Sequence, residues 1–244
     1  MNIETMEGRT LFSVTVTEVS PGFYQFDGDS ADDEIAISVD MDNATLTFND
    51  TQYANVAHIT VNAGGGNDFV NIIANAPGGI RASIDGGDGS DVIVANFDAS
   101  VWGGAGDDEI HLGDALNAEI YGEGGSDAIY VSGYSFNAVI DGGAESDYID
   151  ASANLYGVAI GGGSGDDVIY GSDYDDTIYG DSGADMIVAL NGNDMIITSG
   201  DGAIDWIDGG DGNDTLHGDV KEISVLNVEN FSGNSSENSS ENLS

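Results

Sequence analysis

The sequence predicts an all-β fold, a right-handed parallel β-roll or β-helix solenoid. Three observations carry that expectation. A nine-residue unit recurs in phase, its Asp keeps a fixed place after the glycines, and an aliphatic side chain returns at the same place in every unit. Gly162-Gly163-Ser164-Gly165-Asp166-Asp167-Val168-Ile169-Tyr170 has the form G-G-x-G-x-D-x-U-x, with U aliphatic. Gly171–Tyr179, Gly180–Val188 and Ala189–Ile197 follow without a gap, and the unit returns as Gly209–His217.

Units beginning at Gly86, Gly103, Gly162 and Gly209 keep every position of the pattern. Those beginning at Ala63, Gly122, Gly142, Gly171, Gly180, Ala189 and Gly200 keep the Asp and the aliphatic but lose one or more glycines. Over these units, roughly residues 63–217, the chain resembles the RTX (repeats-in-toxin, haemolysin-type) calcium-binding repeat family. The resemblance implies calcium in the turns, with carbonyls from turn positions one and three joining the Asp. It also implies export from a bacterial cell of the Gram-negative type.

In order, residues 1–62 have a different texture. Leu11–Val19, Phe23–Phe26, Ile35–Val39, Ala44–Phe48 and His58–Val61 read as short strands rich in β-branched and aromatic residues. Gly28–Ala36 is an eroded copy of the repeat, with Asp33 in the Asp place. The region is assigned as an N-terminal β cap, because an open sheet end invites aggregation unless covered. Glu7–Ser13 resembles a short segment near the N-terminus of exported bacterial repeat proteins.

Residues 63–219 form the roll. The Asp positions divide between two edges. One edge stacks Asp68, Asp91, Asp108, Asp127, Asp147, Asp167, Asp185 and Asp205, at intervals of about two repeats. The other holds only Asp176, Asp194 and Asp214. Calcium is a hard ion that takes 6–8 oxygens, and carboxylates with turn carbonyls supply them. The expected ligand set is therefore these eleven aspartates with Gly86, Gly103, Gly162 and Gly209. One ion between adjacent turns gives up to seven sites on the first edge and two on the second, about nine in all. Glu145, Tyr174 and Ala203 replace the fourth-position glycine, so sites touching them are expected to be weak or empty.

Position eight (Val70, Ile93, Ile110, Ile129, Ile149, Ile169, Ile178, Ile187, Ile196, Ile207, Leu216) is the inward ladder. Residues 220–231 read as one or two C-terminal capping strands, and 232–244 as a disordered polar tail.

Composition excludes several functions. The 244 residues carry 45 Asp+Glu against 3 Lys+Arg, a formal charge of −42, which rules out nucleic acid as partner. Cysteine is absent, so there is no disulfide or thiolate site. No run of 18 or more apolar residues spans a membrane. Arg9, Arg81 and Lys221 are scattered and His58, His111 and His217 form no pair, so no enzyme activity is expected. Glycine runs without a following helix are no nucleotide fingerprint.

The functional expectation is an extracellular calcium-binding roll, folded by calcium, with a structural, adhesive or secretion-related role. An extracellular polysaccharide or a cell surface is the partner class it leaves open. The alternative is a non-catalytic glycan-binding module, or the C-terminal module of a larger secreted polysaccharide epimerase or lyase. Tyr121, Tyr130, Tyr148, Tyr156, Tyr170 and Tyr179 are assigned to coil-to-coil packing, and Trp102 and Trp206 to covering core or cap surface. The third turn positions hold no threonine array, which disfavours an ice-binding face.

Overall fold

The computed structural model describes residues 14–76, 79–198, 203–218 and 223–232. Glu7–Ser13, Arg9, Lys221 and the tail beyond 232 lie outside the described residues. Within them the chain is all β, with no helix. Two twelve-stranded sheets face each other, and a two-stranded ladder pairs Asn191–Gly192 with Asp211–Gly212.

Each coil gives one strand to each sheet, and like strands pair in parallel. Ala99–Ala105 pairs with Glu119–Gly124 on one sheet, and Glu109–Gly113 with Ala128–Gly133 on the other. The register keeps the aliphatics in column. Val61, Ile84, Val101, Ile120, Ile140, Ile160, Ile178, Ile196 and Leu216 follow one another on the first sheet. Val70, Ile93, Ile110, Ile129, Ile149, Ile169, Ile187 and Ile207 do so on the second. All are buried. Successive coils lie ~4.8 Å apart, so each isoleucine packs on its copies above and below as well as across the roll. Full burial of each such side chain contributes about 1.5–3 kcal/mol.

The core thins along the chain. Toward the N-terminus each strand of the parallel coils buries two or three side chains, as Ile35, Ile37 and Val39 do in Glu34–Asp40. Val168–Tyr170, Met186–Val188 and Thr215–His217 are three residues long and bury one each. Where the apolar column is narrowest, both edges carry aspartates.

The N-terminal region combines a coil with capping strands. Phe23–Asp27 and Glu34–Asp40 pair in parallel with His58–Gly65 and Phe69–Ala74, so they already make a coil. Capping is done by antiparallel strands outside it. Thr15–Ser20 lies on Phe23–Asp27, and Thr45–Phe48 with Thr51–Ala54 extends Glu34–Asp40. Thr51–Ala54 was not among the expected strands. Its signal is Asn49-Asp50, both left-handed (φ 46° and 60°), the two-residue hairpin turn that matches strand twist. Phe26 meets Phe48 edge-on at 5.1 Å and Tyr24 meets Tyr53 at 5.3 Å, closing the end of the core.

At the other end Ile223–Leu226 and Asn230–Ser232 pair in parallel with Asp205–Asp208 and Thr215–His217. They continue the coil instead of crossing it.

Candidate metal centre

The turns at each edge are joined by one repeated contact. The backbone N–H of each position-six Asp donates to Oδ1 of the Asp one coil further on. On the first edge the chain of contacts runs Asp68 to Asp91 (2.7 Å), Asp91 to Asp108, Asp108 to Asp127, Asp127 to Asp147 and Asp147 to Asp167 (2.8 Å each), then Asp167 to Asp185 (3.0 Å) and Asp185 to Asp205 (3.1 Å). On the second it runs Asp176 to Asp194 (2.8 Å) and Asp194 to Asp214 (3.0 Å). The structure thus places all eleven aspartates on the two edges, in the order the spacing implies.

Both ladders extend further than the expected ligand set. Asp33 N–H donates to Asp68 Oδ1 at 2.6 Å, so the eroded repeat supplies a ninth first-edge aspartate. Asp214 N–H donates to Glu229 Oε2 at 2.9 Å, and the longer side chain ends the second ladder. A further ladder, absent from the sequence reading, runs at position five. Ser90 N–H donates to Asn67 Oδ1, Ser126 N–H to Asp107 Oδ1, Ala184 N–H to Asp166 Oδ1 and Asn193 N–H to Asp175 Oδ1. It runs opposite to the Asp ladder, so the turns that carry it are tied to their neighbours in both directions. The polar residue recurring at position five was its only sequence trace.

From Asp68 onward each position-six aspartate accepts, through Oδ1, an N–H from the coil before it. The second oxygen, Oδ2 of Asp68, Asp91, Asp108, Asp127, Asp147, Asp167, Asp194 and Asp214, is buried without a hydrogen-bond donor. Burial pushes these carboxyls up: Asp68, Asp127 and Asp167 to about 6, and Asp108, Asp147 and Asp194 to about 7. The neighbouring backbone N–H pulls the other way and does not cancel the desolvation.

The orphan oxygens face the first-position glycines. A Cβ at Gly142 would lie 2.5 Å from Asp147 Oδ2 and 2.5 Å from the carbonyl oxygen of Gly162 in the next coil. At Gly162 the corresponding atoms are Asp167 Oδ2 (2.5 Å) and Gly180 O (2.8 Å), and Gly86, Gly103 and Gly122 repeat the arrangement. A carboxylate oxygen and a carbonyl oxygen therefore converge on a space that only glycine leaves open. The first glycine is needed for room, since its φ is not in the left-handed region. The second and fourth are needed for angle, as at Gly143 (φ 110°) and Gly165 (φ 133°). Glu123, Glu145, Asp181 and Leu190 hold the same left-handed places without being glycine, at φ 74°, 77°, 64° and 78°.

Asp176 stands apart. Ser172 N–H donates to its Oδ2 (2.6 Å), Ser172 Oγ–H to its Oδ1 (2.8 Å) and Val158 N–H also to its Oδ1 (2.8 Å). Its carboxylate is satisfied within the protein, in the same turn where Tyr174 replaces glycine.

Among the described residues no group of three His, Cys, Asp or Glu side chains meets at one point. One carboxylate per turn with hard carbonyl oxygens is a donor set for calcium. Residues 161–196 and 199–220 match the RTX calcium-binding nonapeptide repeat, in 4 copies. These coils are RTX calcium-binding repeats. No curated protein and no solved structure gives a significant match to the chain. The RTX coils share register and the Asp ladder with the coils before residue 161, which carry the same orphan oxygens. No helix among the described residues is long and apolar enough to cross a membrane.

The remaining candidates lie elsewhere. His111 stacks on Tyr130 (4.8 Å) and contacts Glu109, and Tyr130, Tyr148 and Tyr170 continue that column on the outer face. Trp102 and Trp206 occupy outward strand positions, so neither covers the core as the sequence suggested.

Proposed function

We propose that this chain is an extracellular calcium-folded β-roll, non-catalytic, with a structural, adhesive or secretion-related role. The observation that carries it is the pair of ladders of half-satisfied, buried carboxylates in a chain of charge −42. Stacked carboxylates in register repel, and burial deprives them of water. Calcium in the turns supplies the missing partner for each orphan oxygen and cancels the repulsion, so binding and folding become one equilibrium.

The ladder aspartates and the first-position glycine carbonyls would hold the ion, and the missing Cβ of those glycines gives the oxygens room to converge. Nine first-edge aspartates leave eight intervals, and the second edge leaves the interval between Asp194 and Asp214 with both oxygens available. The satisfied carboxylate of Asp176 makes its turn the weakest holder. A site with so few charged ligands is in the affinity range of extracellular calcium modules, about 10⁻⁴–10⁻³ M. That supports a chain unfolded in calcium-poor cytosol and folded outside the cell.

The test is calcium titration of the chelator-treated protein by calorimetry, with circular dichroism at each point. Cooperative uptake of about seven to ten ions with gain of β-signal supports the proposal. Full β-structure in chelator refutes it.

A further inference from the structure

We propose a second binding site, for an uncharged hexose unit of a glycan, on the outer face of the first sheet. One outward column of that sheet reads Asp27, Asn62, Asp85, Trp102, Tyr121 in consecutive coils. Trp102 and Tyr121 stack with their rings 11° from parallel and centroids 5.9 Å apart. Tyr121 therefore backs one face of the indole and holds it upright. The other face looks toward the short side chain of Asp85.

The step from Trp102 down to Asp85 opens a groove of about 380 Å³, lined by Thr60, Asn62, Ser83, Asp85, Trp102 and Glu123. Asn62 and Trp102 are two coils apart, about 9.6 Å from the ~4.8 Å coil spacing, which admits one sugar ring lying against the indole. The hydrogen-bonding groups are mostly uncommitted. Asn62 Nδ2–H donates to Asp27 Oδ1, which leaves its Oδ1 as acceptor, and Ser83 Oγ contacts His58 Nε2 at 3.3 Å. The side chains of Thr60, Asp85, Trp102 and Glu123 make no hydrogen bond among the described residues.

An aromatic face set beside short acceptors and hydroxyls suits a pyranose. Its C–H face packs on the ring, and its hydroxyls bond outward to Asp85, Asn62 and Thr60. The carboxylates of Asp85 and Glu123 and the charge of the whole chain repel uronates and sulfated sugars. None of its side chains is a ladder aspartate; Asp85 lies beside Asp91 and precedes Gly86, and Glu123 is the second residue of the turn that carries Asp127.

The experiment titrates calcium-saturated protein with cello-, manno- and laminari-hexaose, following the remaining tryptophan in a Trp206→Phe background. Saturation-transfer NMR on the unsubstituted chain reads the same binding without that change. A saturable response at low-millimolar sugar or below is expected for at least one hexasaccharide. Read by saturation-transfer NMR, Asp85→Ala and Trp102→Ala should each weaken it at least tenfold, with circular dichroism of the calcium-saturated chain unaltered in Asp85→Ala. Three results overturn the site: no saturable response to any uncharged hexasaccharide, response only to the cation spermidine, or equal affinity in Asp85→Ala.

Discussion

The N–H of Asp127 donates to Oδ1 of Asp147 at 2.8 Å, while Oδ2 of Asp147 is buried without a donor. One carboxylate thereby has two jobs, tying its own coil to the one before and presenting an oxygen to a cation. The two jobs separate on substitution.

Asp147→Asn keeps an acceptor for Asp127 and removes the charge. It should bind fewer calcium ions than the parent, yet keep more β-structure in chelator. Asp147→Ala loses both roles and orphans the Asp127 N–H, at a cost of about 1–3 kcal/mol. Chelator circular dichroism and calcium stoichiometry, measured together on both variants, check the split.

Gly142→Ala fills the space where Asp147 Oδ2 and Gly162 O converge. It should abolish calcium uptake at the adjoining interval and raise the calcium concentration at the folding midpoint several-fold. Gly113→Ala, whose Cβ would meet nothing closer than 3.8 Å, is the control and should change neither.

Glu145 is exposed and left-handed at φ 77°. A non-glycine residue pays about 1–2 kcal/mol there, against about 0.5–1 kcal/mol of extra chain entropy for glycine. Glu145→Gly should therefore stabilise the calcium-bound roll by about 0.5–1 kcal/mol, seen as a higher thermal midpoint. A lower midpoint would contradict the assignment of strain.

Without metal, the carboxyls of Asp108, Asp147 and Asp194 sit at about 7 in the fold, above their ordinary value. Groups raised on folding favour the folded state while protonated, and that contribution is lost as pH rises through the folded value. The chelator-treated chain should thus gain β-structure on acidification from pH 8 to 5. The calcium-loaded chain should shed ions over the same range, because protons compete for the same oxygens. Circular dichroism and a calcium electrode across that range test both signs.

The thin core of the last coils sets an order of unfolding. Val168–Tyr170, Met186–Val188 and Thr215–His217 bury one side chain each, whereas the first coils bury several and carry the Phe26–Phe48 pair. As calcium is withdrawn, hydrogen exchange should rise first in residues 168–217 and last in residues 23–74. The reverse order would show that apolar burial does not set the gradient.

The period of nine, the inward aliphatic column and the division of eleven aspartates between two edges were determined by the sequence alone. They are local: each repeat states its own turn and strand, and stacking identical units has one outcome. What the tertiary structure decided are relations between coils. Asp33 joins the ladder because Phe23–Asp27 and Glu34–Asp40 pair with strands about 35 residues on. Asp176 is satisfied because Ser172 replaces a glycine and turns its hydroxyl inward. The first glycine is required for space because a carbonyl from the next coil arrives there, and Trp102 is held upright because Tyr121 stands one coil away. Each depends on which residue lies ~4.8 Å above another, and that register is set only when the coils stack.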